Sequence, residues 1–294
     1  MTFASDPLIS DPVTIPWVPP WVTSARVETL EDVAFLSGAA LNHLHIVLRQ
    51  EEVPQPLFRD RLALCAAKAC TAFAGRPEGE RELRDAVHLL HPGDLPGPVG
   101  EIYLSWRRAV ERPVSIGGLA RALPGLEDTQ IARWLDAGQG APVTRAATLL
   151  ETALMAMPRS EGPALVLADA ALAQTLGWKH LVPLLSLGLK RADLRKRGED
   201  LRLSCHRAVI TSASEALRLS WDLTRKATRL KAVAPKLRAK GAGEAVEIFL
   251  SRDAVAPSAL PLPDRSARRL CDRLVALDAV RELTGRDTFR LYGV

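Results

Sequence analysis

Apolar residues recur at steps of three and four along most of this 294-residue chain, and turns rich in proline and glycine separate the runs. This spacing places apolar side chains on one face of an α-helix. The longest uninterrupted run covers about residues 199–233, and Pro235 ends it. Leu and Ala, both good helix formers, dominate the composition, whereas β-branched residues are thinly spread. The sequence therefore predicts a mainly α fold.

The apolar runs predict a series of helices before residue 199. They cover residues 28–50, 57–74, 80–90, 100–110, 144–156, 163–176 and 181–194. The last run is strongly apolar, so we expect it to form a core helix. Residues 115–137 read as two short helices around a Pro-Gly turn. They are consistent with a helix-turn-helix that exposes Arg121, Gln130 and Arg133, or with a plain helical hairpin inside the main domain.

Changes in composition divide the chain into three parts. Residues 1–24 contain five prolines together with Trp17 and Trp21, and we interpret them as an extended arm. Its indoles are expected to pack on the helical body or at a subunit contact. We place a multi-helical domain at residues 25–238 and a second, smaller domain at residues 239–294, because a chain of this length usually holds more than one domain.

Motifs for enzyme chemistry are absent from the sequence. It contains no P-loop, no dinucleotide-binding glycine motif, no zinc-protease motif and no nucleophile elbow. His43 and His45 would point in opposite directions on a helix, and Pro92 breaks the helix that would present His88 and His91 to one metal. The four cysteines are scattered, which favours reduced, buried thiols. We expect no catalytic residue, metal site or cofactor, and keep a helical enzyme with dispersed site residues as a third alternative.

Targeting signals are also absent from the sequence. The N-terminus has no apolar signal segment. No run of about 18 uncharged apolar residues is present that could span a membrane. We therefore expect a cytoplasmic protein with no membrane partner.

The positive charge is concentrated at the C-terminal end. The chain has 39 basic and 34 acidic residues, which gives a net charge of +5. Residues 225–294 hold 15 basic and 8 acidic residues, so this stretch carries +7 and the preceding part −2. Such asymmetry favours an end that binds a polyanion, although a basic solvated surface would have the same composition.

The last residues of the chain follow the element order of a winged helix. A short apolar helix at residues 243–251 is followed by three prolines, and Asp264 is positioned to cap a second helix. Residues 279–283 and 288–292 then alternate in polarity around a Gly-containing turn, which predicts a small β-hairpin, the wing. The buried stripe of the second helix is predicted to be Ala267, Leu270, Cys271, Leu274 and Leu277. The predicted fold is a mainly α, multi-helical domain followed by a C-terminal winged helix-turn-helix.

Six arginines lie on the faces that this arrangement leaves exposed. Four of them flank or oppose the buried stripe of the second helix, whereas Arg286 falls at the hairpin tip and Arg290 on the returning strand. The guanidinium fork matches both phosphate oxygens and guanine edges. The residues predicted to bind double-stranded DNA are therefore Arg265, Arg268, Arg269, Arg273, Arg286 and Arg290.

Two resemblances to known families are present. The sequences LVAL at 274–277, RELTGR at 281–286 and RLY at 290–292 resemble the terminal winged helix of many bacterial Fic-type proteins. The His-Pro-Phe…Gly-Asn catalytic loop of those proteins is absent, so this resemblance implies no adenylyl transfer. Over nearly its whole length, with residues 27–41 and 265–294 as the suggestive segments, the chain resembles the bacterial family called domain of unknown function 1403, which implies no known activity.

Together these features predict a DNA-binding protein, a transcriptional or plasmid-associated regulator that uses its C-terminal winged helix. The helical domain is the candidate homodimer interface. The alternative is a non-enzymatic helical module for protein–protein interaction, whose winged helix packs on protein and binds no nucleic acid. A salt-dependent titration with duplex DNA separates the two, because phosphate contacts produce a steep salt slope.

Overall fold

The structure is a computed structural model that describes residues 18–24, 29–91, 93–237 and 241–294. It is mainly helical, with one two-stranded antiparallel sheet near the C-terminus. The described residues up to 237 are called the helical body here, and residues 241–294 the C-terminal segment. The helices of the body are α1 (Pro20–Ser24), α2 (Leu30–Val47), α3 (Gln55–Phe73), α4 (Glu80–His88), α5 (Gly97–Glu111), α6 (Ile116–Ala122), α7 (Asp128–Asp136), α8 (Pro142–Ala156), α9 (Glu161–Thr175), α10 (Leu185–Gly188) and α11 (Gly198–Val233). The C-terminal segment contains α12 (Ala242–Phe249), α13 (Asp264–Ala276), β1 (Arg281–Glu282) and β2 (Tyr292–Gly293).

Helix α9 forms the centre of the body. Residues 164–173 are all buried, and apart from Asp169 they are apolar. A helix that is apolar on every side has to be surrounded by other elements. Helix α9 contacts α8, α7, α3 and α5, while the long helix α11 packs along α2 and α8.

The bounds of the predicted helices agree with the structure to within a few residues in all but one segment. The exception is residues 181–194, which contain only the single turn α10 and a 3₁₀ turn at Asp193–Arg195. Residues 181–186 are buried as predicted, but residues 190–192 are exposed and the predicted helix was wrong. The buried carboxylate of Asp169 accepts the backbone N–H groups of Leu184 (3.0 Å) and Leu185 (2.8 Å), and Pro183 has no N–H to donate. Local polar contacts therefore replace the helical hydrogen bonds here.

The predicted arm is described only in part, since residues 1–17, with Trp17, lie outside the described residues. Residues 20–24 form the short helix α1 rather than the extended structure that was predicted. Val22 is buried, and the ring of Trp21 stacks on Phe35 with centroids 5.9 Å apart. The predicted domain boundary falls at residues 238–240, which also lie outside the described residues, so the two-domain division stays a prediction.

The predicted apolar stripe of α13 is buried, with Leu277 only half-buried. Two local details differ from expectation. Asp264 is the first residue of α13, not its cap, because Pro263 occupies the capping position. The strands are two residues long and are joined by a loop at 283–291, in place of the expected tight hairpin. The carboxylate of Glu282 accepts the backbone N–H groups of Thr284 and Gly285, which turns the chain away from β1.

The C-terminal segment is packed on the body by arginine side chains. Arg61 of α3 donates to the carbonyl oxygen of Val294 (3.2 Å), and Arg81 of α4 donates to the carbonyl oxygen of Thr284. The apolar side chains of the segment belong to the same hydrophobic cluster as those of the body. The final residues of the chain are therefore held in place by residues more than 200 positions earlier.

Candidate functional site

The outward face of α13 carries four of the six predicted DNA-binding arginines. Because the apolar stripe faces inward, Arg265 and Arg269 lie on the opposite face, with Arg268 and Arg273 on its two flanks. All four arginines are exposed. Asp272 shares the face and reduces its net charge. The structure therefore brings these four predicted residues together on one exposed surface, called the α13 face below.

The arginines of the α13 face differ in their local partners. Arg268 forms an ion pair with Asp264, one turn earlier, at 2.9 Å. Within the described residues, no carboxylate lies within ion-pair distance of Arg265, Arg269 or Arg273. Among the described residues, these three exposed guanidinium groups thus have no ion-pair partner, and they are available to an external anion.

The remaining two predicted residues lie in the loop 283–291 and contact the protein itself. Arg286 forms a two-pronged pair with Asp85 of α4, with N–O distances of 2.8 and 2.7 Å. Arg290 donates to the carbonyl oxygen of Arg286 at 2.9 Å and lies 3.4 Å from Asp287. The tip arginine expected to reach DNA is therefore engaged with the helical body in this structure.

A second set of basic side chains lies beside the C-terminal end of α13. Arg229 of α11 pairs with Asp278 at 2.9 Å and donates to the carbonyl oxygen of Leu277 at 3.3 Å. A groove of about 320 Å³ lies beside this contact. Its basic lining residues are Arg225, Lys226, Arg229 and Arg281. The sequence shows the basic end of α11, but its position next to α13 depends on the tertiary fold.

The junction between the body and the C-terminal segment contains a buried ionic network that sequence reasoning missed. The carboxylate of Asp253 has no exposed surface and pairs with Arg61 and with Arg84, the latter at 2.6 and 3.1 Å. The backbone N–H of Asp253 donates to Asp60 (2.8 Å), and Asp60 in turn accepts from Arg107 (2.9 Å). Burial alone would raise the pKa of Asp253, but Arg61 and Arg84 hold it below its usual value.

Three other buried or half-buried titratable side chains are uncharged at neutral pH. Burial, aided by Arg107, lowers the pKa of His88 to about 4, which leaves it neutral. Burial raises the pKa of Cys65 to about 11 and that of Cys70 to about 12, so neither is a thiolate at neutral pH. Among the described residues, no group of three or more His, Cys, Asp or Glu side chains is placed to hold a metal ion.

The length and apolar composition of the helices decide whether any of them could cross a membrane. None of the helices within the described residues combines the length and the apolar composition that a membrane crossing requires. The long helix α11 has 36 residues, but charged side chains occur along its whole exposed side.

The sequence matches a family model over residues 6–294, and that family is described as protein of unknown function (DUF1403). The chain therefore belongs to this family, as the resemblance of residues 27–41 and 265–294 indicated. No curated protein matches the sequence. The resemblance of residues 264–294 to the winged helix of Fic-type proteins stays a prediction.

Proposed function

We propose that this member of the DUF1403 family binds duplex DNA through the α13 face and acts as a transcriptional or plasmid-associated regulator. One observation carries the proposal. Arg265, Arg269 and Arg273 are exposed on a single face, opposite a buried apolar stripe, without an internal carboxylate partner among the described residues. A helix anchored on one side and rich in free guanidinium groups on the other meets the physical requirements of a recognition helix.

The order of elements in the C-terminal segment supports interpreting it as a reduced winged helix. Helix α12 is followed by Val255, which bridges to Tyr292, then by a 3₁₀ turn at Pro257–Ala259, by α13 and by the two strands. A winged helix would have its second helix where the 3₁₀ turn lies. The prolines of this region explain the shortening, because each lacks an N–H donor. In this interpretation α13 is the recognition helix and the loop 283–291 is the wing.

The contacts of Arg286 change the role that we propose for the wing. Its guanidinium would have to leave Asp85 before it could contact a phosphate. We therefore assign the direct DNA contacts to the four arginines of the α13 face. Arg286 and Arg290 are proposed to hold the loop beside α13, so that they position the wing without reading the DNA.

A homodimer is part of the proposal. A single recognition helix contacts only a few base pairs, whereas two copies bind half-sites about one helical turn apart. The helical body is the candidate dimer interface, and its stacked Trp21 and Phe35 side chains remain 50% and 69% exposed. Sedimentation of the protein with and without DNA measures the number of copies directly.

Fluorescence titration of a labelled random duplex with the full-length protein tests the proposal. The parent should bind with an affinity that falls steeply with salt. The Arg265→Gln/Arg269→Gln variant should lose about 1–3 kcal/mol of binding free energy for each side chain that contacts a base, and its salt slope should be shallower for each phosphate contact removed.

A matched variant, Arg121→Gln/Arg133→Gln, removes the same charge from the helix pair α6–α7. Both of these arginines are exposed. This variant should bind DNA like the parent. If it loses affinity and the α13 variant does not, the DNA site lies on the helix pair at residues 115–137, and the proposal for α13 fails.

A second candidate function is a non-enzymatic module for protein–protein interaction. The observation that favours it is the extent to which the C-terminal segment packs on protein, through Asp253, Thr284, Arg286 and Val294. An absence of DNA binding by the parent, even at low salt, would support this candidate over the first.

A further inference from the structure

A second concentration of arginine lies at the junction, away from the α13 face. A cavity of about 580 Å³ opens between α3, α5 and the residues that follow α12. Its lining includes four arginines and two carboxylates. These charged residues are Arg59, Asp60, Arg107, Arg108, Glu111 and Arg252. Cations therefore outnumber anions at its wall.

The carboxylate nearest the arginines already has its partners. Asp60 accepts from the Nε of Arg107 at 2.9 Å and from the backbone N–H of Asp253 at 2.8 Å. Within the described residues, no carboxylate lies within ion-pair distance of Arg59, Arg108 or Arg252. Ion pairs among the described residues thus leave the excess positive charge of the cavity unneutralised.

Arg59 carries the clearest sign of a missing partner. Its side chain is half-buried, and its enclosed Nε has no hydrogen-bond acceptor in the part of the chain that the structure describes. Burial lowers the pKa of Arg59, and no carboxylate offsets that effect. A desolvated, unpaired guanidinium beside other guanidiniums costs stability, and proteins commonly retain such an arrangement where a ligand supplies the missing charge.

We propose that this cavity binds the phosphate group of a phosphorylated small molecule. Guanidinium groups bind phosphate oxygens in pairs of parallel hydrogen bonds, and several arginines around one anion are typical of phosphate recognition. The volume exceeds that of a phosphate ion and falls within the range of about 300–1,000 Å³ found for small-molecule sites. Pro56, Leu104 and Val110 supply apolar wall for the remainder of the ligand.

The location of the site links the two parts of the molecule. Arg59 and Arg108 belong to the body, whereas Arg252 belongs to the C-terminal segment. Arg252 directly precedes Asp253, which anchors the segment in the buried network. A phosphate held by arginines from both sides would add a contact across the junction, so ligand binding should stabilise the docked segment. This inference rests on residues that the DNA proposal does not use.

Thermal unfolding of the full-length protein tests the site with two probes, inorganic phosphate and glycerol 3-phosphate. Each is compared with sodium chloride at equal ionic strength. Because a ligand that binds only the folded state raises the unfolding temperature, the parent should show a saturable rise with both phosphate compounds. No rise beyond that in sodium chloride would overturn the proposal.

Variants of the unpaired arginines make the test specific. Arg59→Gln and Arg108→Gln should each reduce or abolish the phosphate-dependent rise. Without phosphate, their unfolding temperatures should equal or exceed that of the parent, because an unpaired charge has been removed. Arg218→Gln, at an exposed position of α11, should respond to phosphate like the parent. If all three variants respond alike, the cavity is not the site.

DNA titration separates the small-molecule site from a DNA contact. Arg59→Gln and Arg108→Gln should bind duplex DNA as tightly as the parent does. If they lose DNA affinity and the parent shows no saturable response to the phosphate compounds, the cavity is part of a nucleic-acid surface and the small-molecule proposal is overturned. The Arg265→Gln/Arg269→Gln variant should lose DNA affinity but keep the phosphate-dependent rise in unfolding temperature. A failure of the DNA proposal can therefore be distinguished from a failure of the phosphate proposal.

Discussion

The buried junction and the α13 face contain the same residue type in opposite environments. At the junction, Arg61 and Arg84 are 8% and 4% exposed and pair with a carboxylate that has no exposed surface. On the α13 face, Arg268 is 68% exposed and its neighbours have no carboxylate partner among the described residues. Arginine at the junction holds two parts of the chain together, whereas arginine on α13 remains available for an external partner.

The two environments should also differ in what substitution costs. A buried ion pair gains little over an apolar pair, but removal of one partner leaves a desolvated charge behind. Substitution of an exposed arginine leaves no desolvated charge, because water solvates the neighbouring charged groups. Stability should therefore be most sensitive at the junction, and binding at α13.

The largest expected effect on stability is that of Asp253→Asn. This change leaves Arg61 and Arg84 beside a neutral amide, and it should lower the free energy of unfolding by about 3–5 kcal/mol. Urea unfolding followed by circular dichroism measures the change. Asp136→Asn, at an exposed position without an ion pair within the described residues, is the matched control. A loss below about 1 kcal/mol, the value of a surface pair, would contradict the distinction between the two regions.

The pH dependence of the same variant provides an independent measurement. The pKa of Asp253 is depressed in the folded protein, against the effect of burial, by Arg61 and Arg84. Its stabilising contribution is therefore complete above the unfolded pKa of about 3.9 and is lost as the pH falls through the lower folded value. The difference in stability between the parent and Asp253→Asn should narrow below about pH 4. A difference that stays constant down to the folded pKa would show that charge is not its origin.

An intermediate effect is expected for Arg286→Gln, since the pair with Asp85 is partly exposed on both sides, at 31% and 29%. Such pairs contribute about 0.2–1 kcal/mol, so the loss of stability should be of that size. A double-mutant cycle with Asp85→Asn isolates the pair from other contacts of either side chain. Cleavage of the loop 283–291 by protease should become faster in Arg286→Gln if the pair positions the wing. Unchanged cleavage together with a strong loss of DNA affinity would return Arg286 to a direct role in binding.

The smallest expected effect on stability is that of the α13 face. Arg265→Gln and Arg269→Gln should each change the free energy of unfolding by less than about 0.5 kcal/mol, because neither side chain has an internal partner among the described residues. The same variants are expected to lose DNA affinity. A destabilisation comparable to that of Asp253→Asn would mean that these arginines support the fold, and the contrast with the junction would no longer hold.

Much of the helical structure follows from local sequence. The three-and-four spacing of apolar residues correctly predicted α2, α3, α8, α9 and α11, and the inward stripe of α13. It failed at residues 181–194, where Asp169 captures backbone N–H groups that a helix would use. The alternating polarity at residues 279–283 and 288–292 correctly predicted two antiparallel strands, but not the loop that joins them, where Glu282 turns the chain. In each case a single polar side chain outweighed the apolar pattern.

The candidate site also has a part that the local sequence determines and a part that depends on tertiary packing. The sequence by itself determined which face of α13 is apolar and which carries Arg265, Arg269 and Arg273, because helical periodicity assigns each position to a side. Only the tertiary structure decided that Arg286 pairs with Asp85, and that Asp253 lies between Arg61 and Arg84. The physical reason is that an amphipathic pattern reports burial within one helix or strand, whereas an ion pair depends on how those elements pack. The sequence separation is 169 positions for the pair Arg84–Asp253 and 201 positions for the pair Asp85–Arg286. Such distant pairings decide which arginines are committed to the fold and which remain free to bind.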